Sequence, residues 1–183
     1  MLILIGGGVR CGKSAYAMSR ARVLGTRRVF VATAEALDGE MAERIERHVR
    51  ERGSDFRTVE APRDLVEKVE AIVDADVVVI DCVTLWLTNL LLRGDLEAAI
   101  LGQVDRLAAA LRAKPFHALL VTNEVGLGVV PDTALGRVFR DLCGRAHQAL
   151  ARPADEIYFG ALGTLIRLRP APLAVLTPAE TNS

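Results

Sequence analysis

The chain reads as an α/β protein with a mostly parallel sheet flanked by helices, opened by a phosphate loop and closed by a C-terminal hairpin. Three observations predict this. Short aliphatic and β-branched runs alternate with longer segments of helical period, the pattern of strands joined by crossover helices. Each run is nearly all apolar, as expected of strands buried on both faces. The first run leads straight into Gly7-Gly8-Val9-Arg10-Cys11-Gly12-Lys13-Ser14, which matches the G-x-x-x-x-G-K-S/T loop between a strand and a helix.

Taken in order, the predicted strands are Leu2–Ile5, Arg28–Ala32, Asp76–Ile80 and Ala118–Thr122. Glu156–Gly160 and Thr164–Arg167 flank Ala161-Leu162-Gly163 as a closing hairpin, and Phe56–Glu60 reads as a short additional strand. Helices are predicted at Lys13–Val23, Gly39–Arg52, Pro62–Val73, Leu96–Ala113 and Thr133–Ala151. In the last, Asp132 is the expected N-cap. Leu135, Val138, Phe139, Leu142, Ala146 and Leu150 form its apolar stripe, with Arg137 and Arg140 projecting away from it. No internal repeat or domain boundary is visible, so the chain reads as a single domain. The tail, 169–183, holds three prolines and is expected to fray or drape over the surface.

A chain of 183 residues is long enough for one domain with a substantial core, and 51% hydrophobic against 4% aromatic residues makes that core aliphatic. Lys plus Arg equals Asp plus Glu at 23 each, which argues against nucleic acid or an anionic membrane as the main partner. The three cysteines, Cys11, Cys82 and Cys143, have no C-x-x-C spacing, so neither a disulfide framework nor a zinc site is expected. Met1 runs directly into the first strand, without a basic leader or cleavage site. The apolar stretch Val83–Leu92 is interrupted by Thr84, Thr88 and Asn89 and is too short to span a bilayer. A cytoplasmic protein is the expectation.

The loop carries the first chemistry. Glycines let successive backbone N–H groups turn around phosphate oxygens, and the following helix adds partial positive charge. Lys13 is expected on the outer phosphates and Ser14 on Mg²⁺; the bland alternative is a glycine-rich turn without a ligand. Asp81, ending Val77-Val78-Val79-Ile80, stands where a Walker B carboxylate orients Mg²⁺ or its waters. Ligands of such sheets bind beyond the carboxyl ends of the strands. Three of those ends carry polar groups: Thr33 and Glu35, Asp81, and Thr122, Asn123 and Glu124. His117 starts a strand and reads as structural. His48 shares a helical stripe with Met41, Ile45 and Arg52. Spacing leaves it either a partly buried helix residue or a nucleophile that attacks phosphorus.

Several runs together resemble one family. They are the phosphate loop; Ala32-Thr33-Ala34-Glu35; Asp38-Gly39-Glu40-Met41-Ala42-Glu43-Arg44-Ile45 through His48; Arg52; and Phe56-Arg57-Thr58-Val59-Glu60. Val121-Thr122-Asn123-Glu124-Val125-Gly126-Leu127-Gly128-Val129-Val130-Pro131, Phe139-Arg140-Asp141 and Gly144-Arg145 complete the set. The chain is similar to the bifunctional adenosylcobinamide kinase/adenosylcobinamide-phosphate guanylyltransferases of cobalamin nucleotide-loop assembly, over residues 1 to about 168. The phosphate loop alone is generic, whereas the Arg-Ile-x-x-His and Thr-Asn-Glu-Val-Gly runs are specific.

The resemblance implies a RecA-like fold and a homotrimer. It implies that ATP or GTP phosphorylates the aminopropanol hydroxyl of adenosylcobinamide, and that GTP then guanylylates a histidine. The GMP group passes on to the cobinamide phosphate, giving adenosylcobinamide-GDP. Carried onto this sequence, His48 is the guanylylated nucleophile and Gly7, Gly8, Val9, Arg10, Cys11, Gly12, Lys13 and Ser14 hold the triphosphate. Thr33, Ala34, Glu35, Arg52, Glu60 and Asp81 are the remaining nucleotide positions, with Ser14 and Asp81 toward Mg²⁺. Four positions depart from the family pattern: Cys11 for Ser, Gly53 for Pro, Phe56 for Trp and His147 for Asn. None removes a chemical group from the implied mechanism, and the Cys11 thiol adds a candidate for oxidative inactivation. The rival readings are a monofunctional phosphate-loop kinase of another small hydroxyl compound and a nucleotide-switch protein. Covalent labelling by GTP separates the first, and slow hydrolysis independent of cobinamide would favour the second.

Overall fold

A computed structural model describes residues 1–35, 39, 43, 46, 49, 50, 53–171 and 174–176. Eight strands form one sheet: β1 Leu2–Gly7, β2 Arg28–Ala32, β3 Phe56–Glu60, β4 Val77–Asp81, β5 His117–Val121, β6 Glu156–Ala161, β7 Thr164–Arg169 and β8 Ala174–Leu176. Their spatial order is β3-β2-β4-β5-β1-β6-β7-β8. The first six in that row are parallel to their neighbours, and β7 and β8 add antiparallel strands at one edge. The helices are α1 Lys13–Leu24, α2 Leu65–Ala71, α3 Val83–Arg93, α4 Glu97–Ala113 and α5 Ala134–Ala151.

The all-apolar strands are buried on both faces because a core lies on each side. Leu2, Leu4, Val29, Val31, Val78, Ile80, Ala118 and Leu120 face α2 to α5. Their neighbours Ile3, Ile5, Phe30, Val77, Val79, Leu119 and Val121 face the α1 side, with Tyr16, Ala17, Met18 and Ala21. Alternation of side chains along a strand produces this division. In α4, Ile100, Val104, Leu107, Ala108 and Leu111 are buried at helical spacing. The β6–β7 hairpin turns through Leu162 (φ 53°) and Gly163 (φ 76°), the two left-handed residues that a tight type I′ connection demands.

The strands lie within a residue or two of the sequence expectation. The helices differ more. Val83–Arg93, weighed in the sequence only as an apolar run, is α3. Trp86, Leu87 and Leu90 are fully buried in it. Gly94 (φ 97°) closes it as a Schellman motif, with Gly94 N–H donating to Leu91 O at 3.0 Å and Asp95 N–H to Leu90 O at 3.2 Å. α2 is shorter than Pro62–Val73 because the Pro62 and Arg63 carbonyls accept from Asn89 Nδ2 (2.9 Å) and Trp86 Nε1 (3.2 Å) instead of helix amides. The N-cap of α5 is Thr133, whose hydroxyl accepts from Gly136 N–H at 3.1 Å, and not Asp132. Leu135, at the start of the expected stripe, is 52% exposed; the buried part of α5 begins at Leu142.

Within the tail, Ala174–Leu176 pairs with β7 rather than draping over the surface. Gly39, Glu43, Glu46, Val49 and Arg50 are helical, in agreement with the helix expected there. Met41, Ile45, His48 and Arg52 lie outside the described residues. Among the described residues, no helix is long and apolar enough to cross a membrane.

Candidate active site

The phosphate loop is rooted on two strands. Gly7, at φ 140°, lies so close to β6 that a Cβ there would meet the Gly160 carbonyl oxygen at 2.2 Å. Gly8 N–H donates to that same oxygen at 3.1 Å. Arg10 (φ 55°) and Gly12 (φ 95°) provide the left-handed turns that bring the chain back into α1. α1 has no side-chain cap and no acidic residue in its first turn. Its leading N–H groups and its positive end are therefore left for an anion. Lys13 is 6% exposed and folds inward, its Nζ donating to Gly8 O and lying 3.6 Å from Cys11 Sγ. Ser14 follows it, half-buried, in the first turn. Cys11 is itself buried, packed so that a Cβ on Gly160 would meet its sulfur at 2.6 Å.

Parallel pairing in register aligns the strand exits beside this loop. Glu60 pairs with Ala32, Ala32 with Asp81, Asp81 with Val121 and Val121 with Ile5. The half-buried Asp81 and the loop thus leave the same edge of the sheet, separated only by β5. Burial, followed by the negative charge of Asp81, pushes the Cys82 thiol up to about 11, while the Lys13 ammonium opposes the rise. Asp81 and Lys13 therefore share one electrostatic neighbourhood.

Thr33 is fully buried, and its hydroxyl is engaged with the backbone of Cys82. It accepts from Cys82 N–H at 2.7 Å and donates to Cys82 O at 2.8 Å, while Asn89 Nδ2 donates to Thr33 O at 2.8 Å. This fixes the chain immediately after Asp81. Ala34 is half-buried, Glu35 pairs with Arg63 at 3.0 Å, and Glu60 is exposed at the end of the edge strand. The predicted loop residues, Thr33 and Asp81 come together. Glu60 stands two strands from Asp81, on the far side of β2, and the placement of His48 and Arg52 lies outside the described residues.

One cluster on this rim was only half visible in the sequence. Glu124 N–H donates to Gly7 O at 2.9 Å, tying the chain after β5 to the root of the phosphate loop. Its carboxylate Oε1 accepts from Gly126 N–H at 2.5 Å, and Oε2 faces His147 Nδ1 at 3.7 Å. The other ring nitrogen, Nε2, is 2.7 Å from Thr122 Oγ1. Burial holds the His147 pKa below the ordinary histidine value, against the pull of Glu124, so the ring is neutral near pH 7. Asn123 Nδ2 donates to Thr84 Oγ1 at 3.3 Å on the neighbouring helix α3. His117 begins β5 as expected, with its Nδ1 buried and lacking a hydrogen-bond partner among the described residues.

A parallel sheet with a phosphate loop after β1 and a carboxylate at the end of β4 defines a RecA-like phosphate-loop nucleotide-binding protein. Solved structures agree on the fold. The RadB recombinase matches with a TM-score of 0.54 at 15% identity, over 95% of this chain and 85% of its own. A prototypical ATPase of a type III secretion system matches with 0.56 at 13% identity, over 88% of this chain and 51% of its own. The family described as cobinamide kinase / cobinamide phosphate guanyltransferase matches residues 3–168, and the chain belongs to it. The bifunctional adenosylcobalamin biosynthesis protein CobU of Escherichia coli K12 is 39% identical over 92% of this chain and all of its own length. Its namesake from Salmonella typhimurium LT2 is 37% identical over the same shares. The corresponding protein CobP of Pseudomonas aeruginosa PAO1 is 40% identical over 93% of this chain and 98% of its own.

Proposed function

We propose that this chain phosphorylates the side-chain hydroxyl of adenosylcobinamide with ATP or GTP. It then transfers GMP from GTP through His48 to the resulting phosphate, giving adenosylcobinamide-GDP. The observation that carries the reading is family membership over residues 3–168, joined to a phosphate loop and Asp81 at one edge of the sheet.

Phosphoryl transfer asks chiefly for positioning and charge neutralisation. The free N–H groups at the start of α1 supply hydrogen bonds to phosphate oxygens, and Lys13 can exchange the Gly8 carbonyl for an outer phosphate. Ser14 and Asp81 offer the hard oxygen donors that suit Mg²⁺, which is usually held by one or two carboxylates together with substrate phosphates. When bound, Mg²⁺ would neutralise charge on the phosphates. Nucleotidyl transfer needs a nucleophile at the α-phosphorus. His48 serves by forming an N–P bond as the bond to pyrophosphate breaks. Arg52, Glu35 and Glu60 complete nucleotide recognition in this reading.

Because one reaction occurs at the γ-phosphorus and the other at the α-phosphorus, we propose that the helix expected over Gly39–Arg52 would close over the nucleotide for one step and open for the other. Crystals of the nucleotide-free and guanylylated protein should differ in that helix, and identical positions would sink the idea. The protein is also proposed to be a cytoplasmic homotrimer, which light scattering of the purified chain tests for the assembly.

The reading as a whole is tested by product analysis. Wild type with adenosylcobinamide, ATP, GTP and Mg²⁺ should yield adenosylcobinamide-GDP, and His48→Ala should stop at adenosylcobinamide phosphate. Formation of the GDP product by His48→Ala would remove the histidine from the pathway.

A further inference from the structure

We propose that Glu124 is the proton acceptor for the substrate hydroxyl in the kinase half-reaction; this deepens the reading above and rests on it. The hydroxyl must lose a proton as its oxygen bonds to the γ-phosphorus, so a base is needed within reach of the terminal phosphate. Glu124 follows β5, the strand lying between Asp81 on β4 and the phosphate loop after β1. Its own N–H is bonded to Gly7 O at the foot of the loop. The other described carboxylates on this rim are committed or distant. Glu35 is paired with Arg63, Glu60 ends the edge strand β3, and Asp81 holds the Walker B position.

The carboxylate is also built into position. Oε1 is fixed by Gly126 N–H, and His147 stands behind Oε2 with its far nitrogen on Thr122. The side chain stays 29% exposed, so a substrate can reach it. His147 Nδ1 borders Oε2 at 3.7 Å, beyond hydrogen-bond distance.

The step balances. The substrate O–H proton passes to Glu124 Oε2, the substrate oxygen bonds to the γ-phosphorus, and the bond from that phosphorus to the bridging oxygen breaks. The electron pair leaves on the nucleoside diphosphate, and Glu124 then returns the proton to water. Only this half-reaction needs such a base. His48 attacks through a neutral nitrogen lone pair. The final acceptor is a phosphate monoester, whose second pKa of about 6 leaves it an anion at neutral pH.

Glu124→Gln separates the two halves, because the amide oxygen still accepts from Gly126 N–H while basicity is lost. The variant and wild type are compared in three assays: phosphorylation of adenosylcobinamide, labelling of the protein by α-³²P-GTP, and GMP transfer to pre-formed adenosylcobinamide phosphate. A fall of about 10²–10⁴-fold in kcat of the first, with the other two unchanged, is expected. Unchanged phosphorylation would overturn the assignment, as would equal loss in all three, which would make Glu124 a structural residue. Wild type that labels but never phosphorylates would overturn the kinase reading itself, and this assignment with it.

Discussion

At the scale of single residues, the phosphate loop depends on close backbone approach and one inward cation. A Cβ on Gly7 would overlap a backbone oxygen of β6 that cannot rotate away, at a φ that L-residues avoid. Gly7→Ala should cost about 1–3 kcal/mol in urea unfolding and weaken nucleotide binding together with it. Lys13→Ala should leave the fold intact yet lower both half-reactions by about 10²–10³-fold, as loss of a charge-stabilising donor does. His147 gives a pH signature. Its folded pKa lies below the ordinary 6.5, so its neutral form favours the native state. That contribution is fully present above pH 6.5 and declines as pH falls from there toward the lowered folded value. His147→Asn should therefore flatten the acid limb of a stability–pH curve measured below pH 6.5; an unchanged limb would deny the histidine this role.

These residues differ in how far the sequence reveals them. The loop is legible because its chemistry is contiguous. Thr33 is less so: the family pattern marks it for the nucleotide, but the fold commits its hydroxyl to Cys82, 49 positions away. His147 appears in the sequence only as a departure from Asn. Its partners, Thr122 and Glu124, come from a strand end that α5 reaches only in three dimensions.

At the scale of elements, strands were more readable than helices. Val77-Val78-Val79-Ile80 can hardly be anything but a buried strand, whereas Val83–Leu92 carries no periodicity that separates a buried helix from a continuous apolar run. Tertiary contacts decide it. Trp86 is wholly enclosed, with Nε1 bonded to the Arg63 carbonyl that would otherwise have begun α2. Trp86→Ala should destabilise the protein by about 3–5 kcal/mol in denaturant melts, through the cavity it leaves in the core on this face of the sheet. β8 is not legible in the sequence because three residues carry too little pattern, and the edge of β7 supplies the template for pairing.

The sheet's opposite end has its own clamp, where Asp76 accepts from Thr26 N–H at 3.0 Å, Arg27 N–H at 2.8 Å and the Arg27 guanidinium. Those bonds hold its carboxyl well below the usual range. Asp76→Ala should lower the Tm but spare GTP labelling, since the clamp sits at the amino ends of the strands, away from the phosphate loop.

At the scale of the whole molecule, a sheet of six parallel strands in register turns scattered sequence marks into one rim. Glu60, Ala32, Asp81, Val121 and Ile5 lie in a row because each crossover returns the chain in the same direction. That geometry gathers the phosphate loop and Asp81 on one rim, and in the reading proposed above His48 is the covalent carrier for guanylyl transfer. The most direct test is incubation with Mg²⁺ and α-³²P-GTP followed by denaturing electrophoresis, for wild type and His48→Ala. Acid-labile, base-stable label on wild type alone is the predicted result, as a phosphoramidate on His48 requires. Wild type that phosphorylates adenosylcobinamide but takes up no label, or His48→Ala that labels equally, would contradict the account.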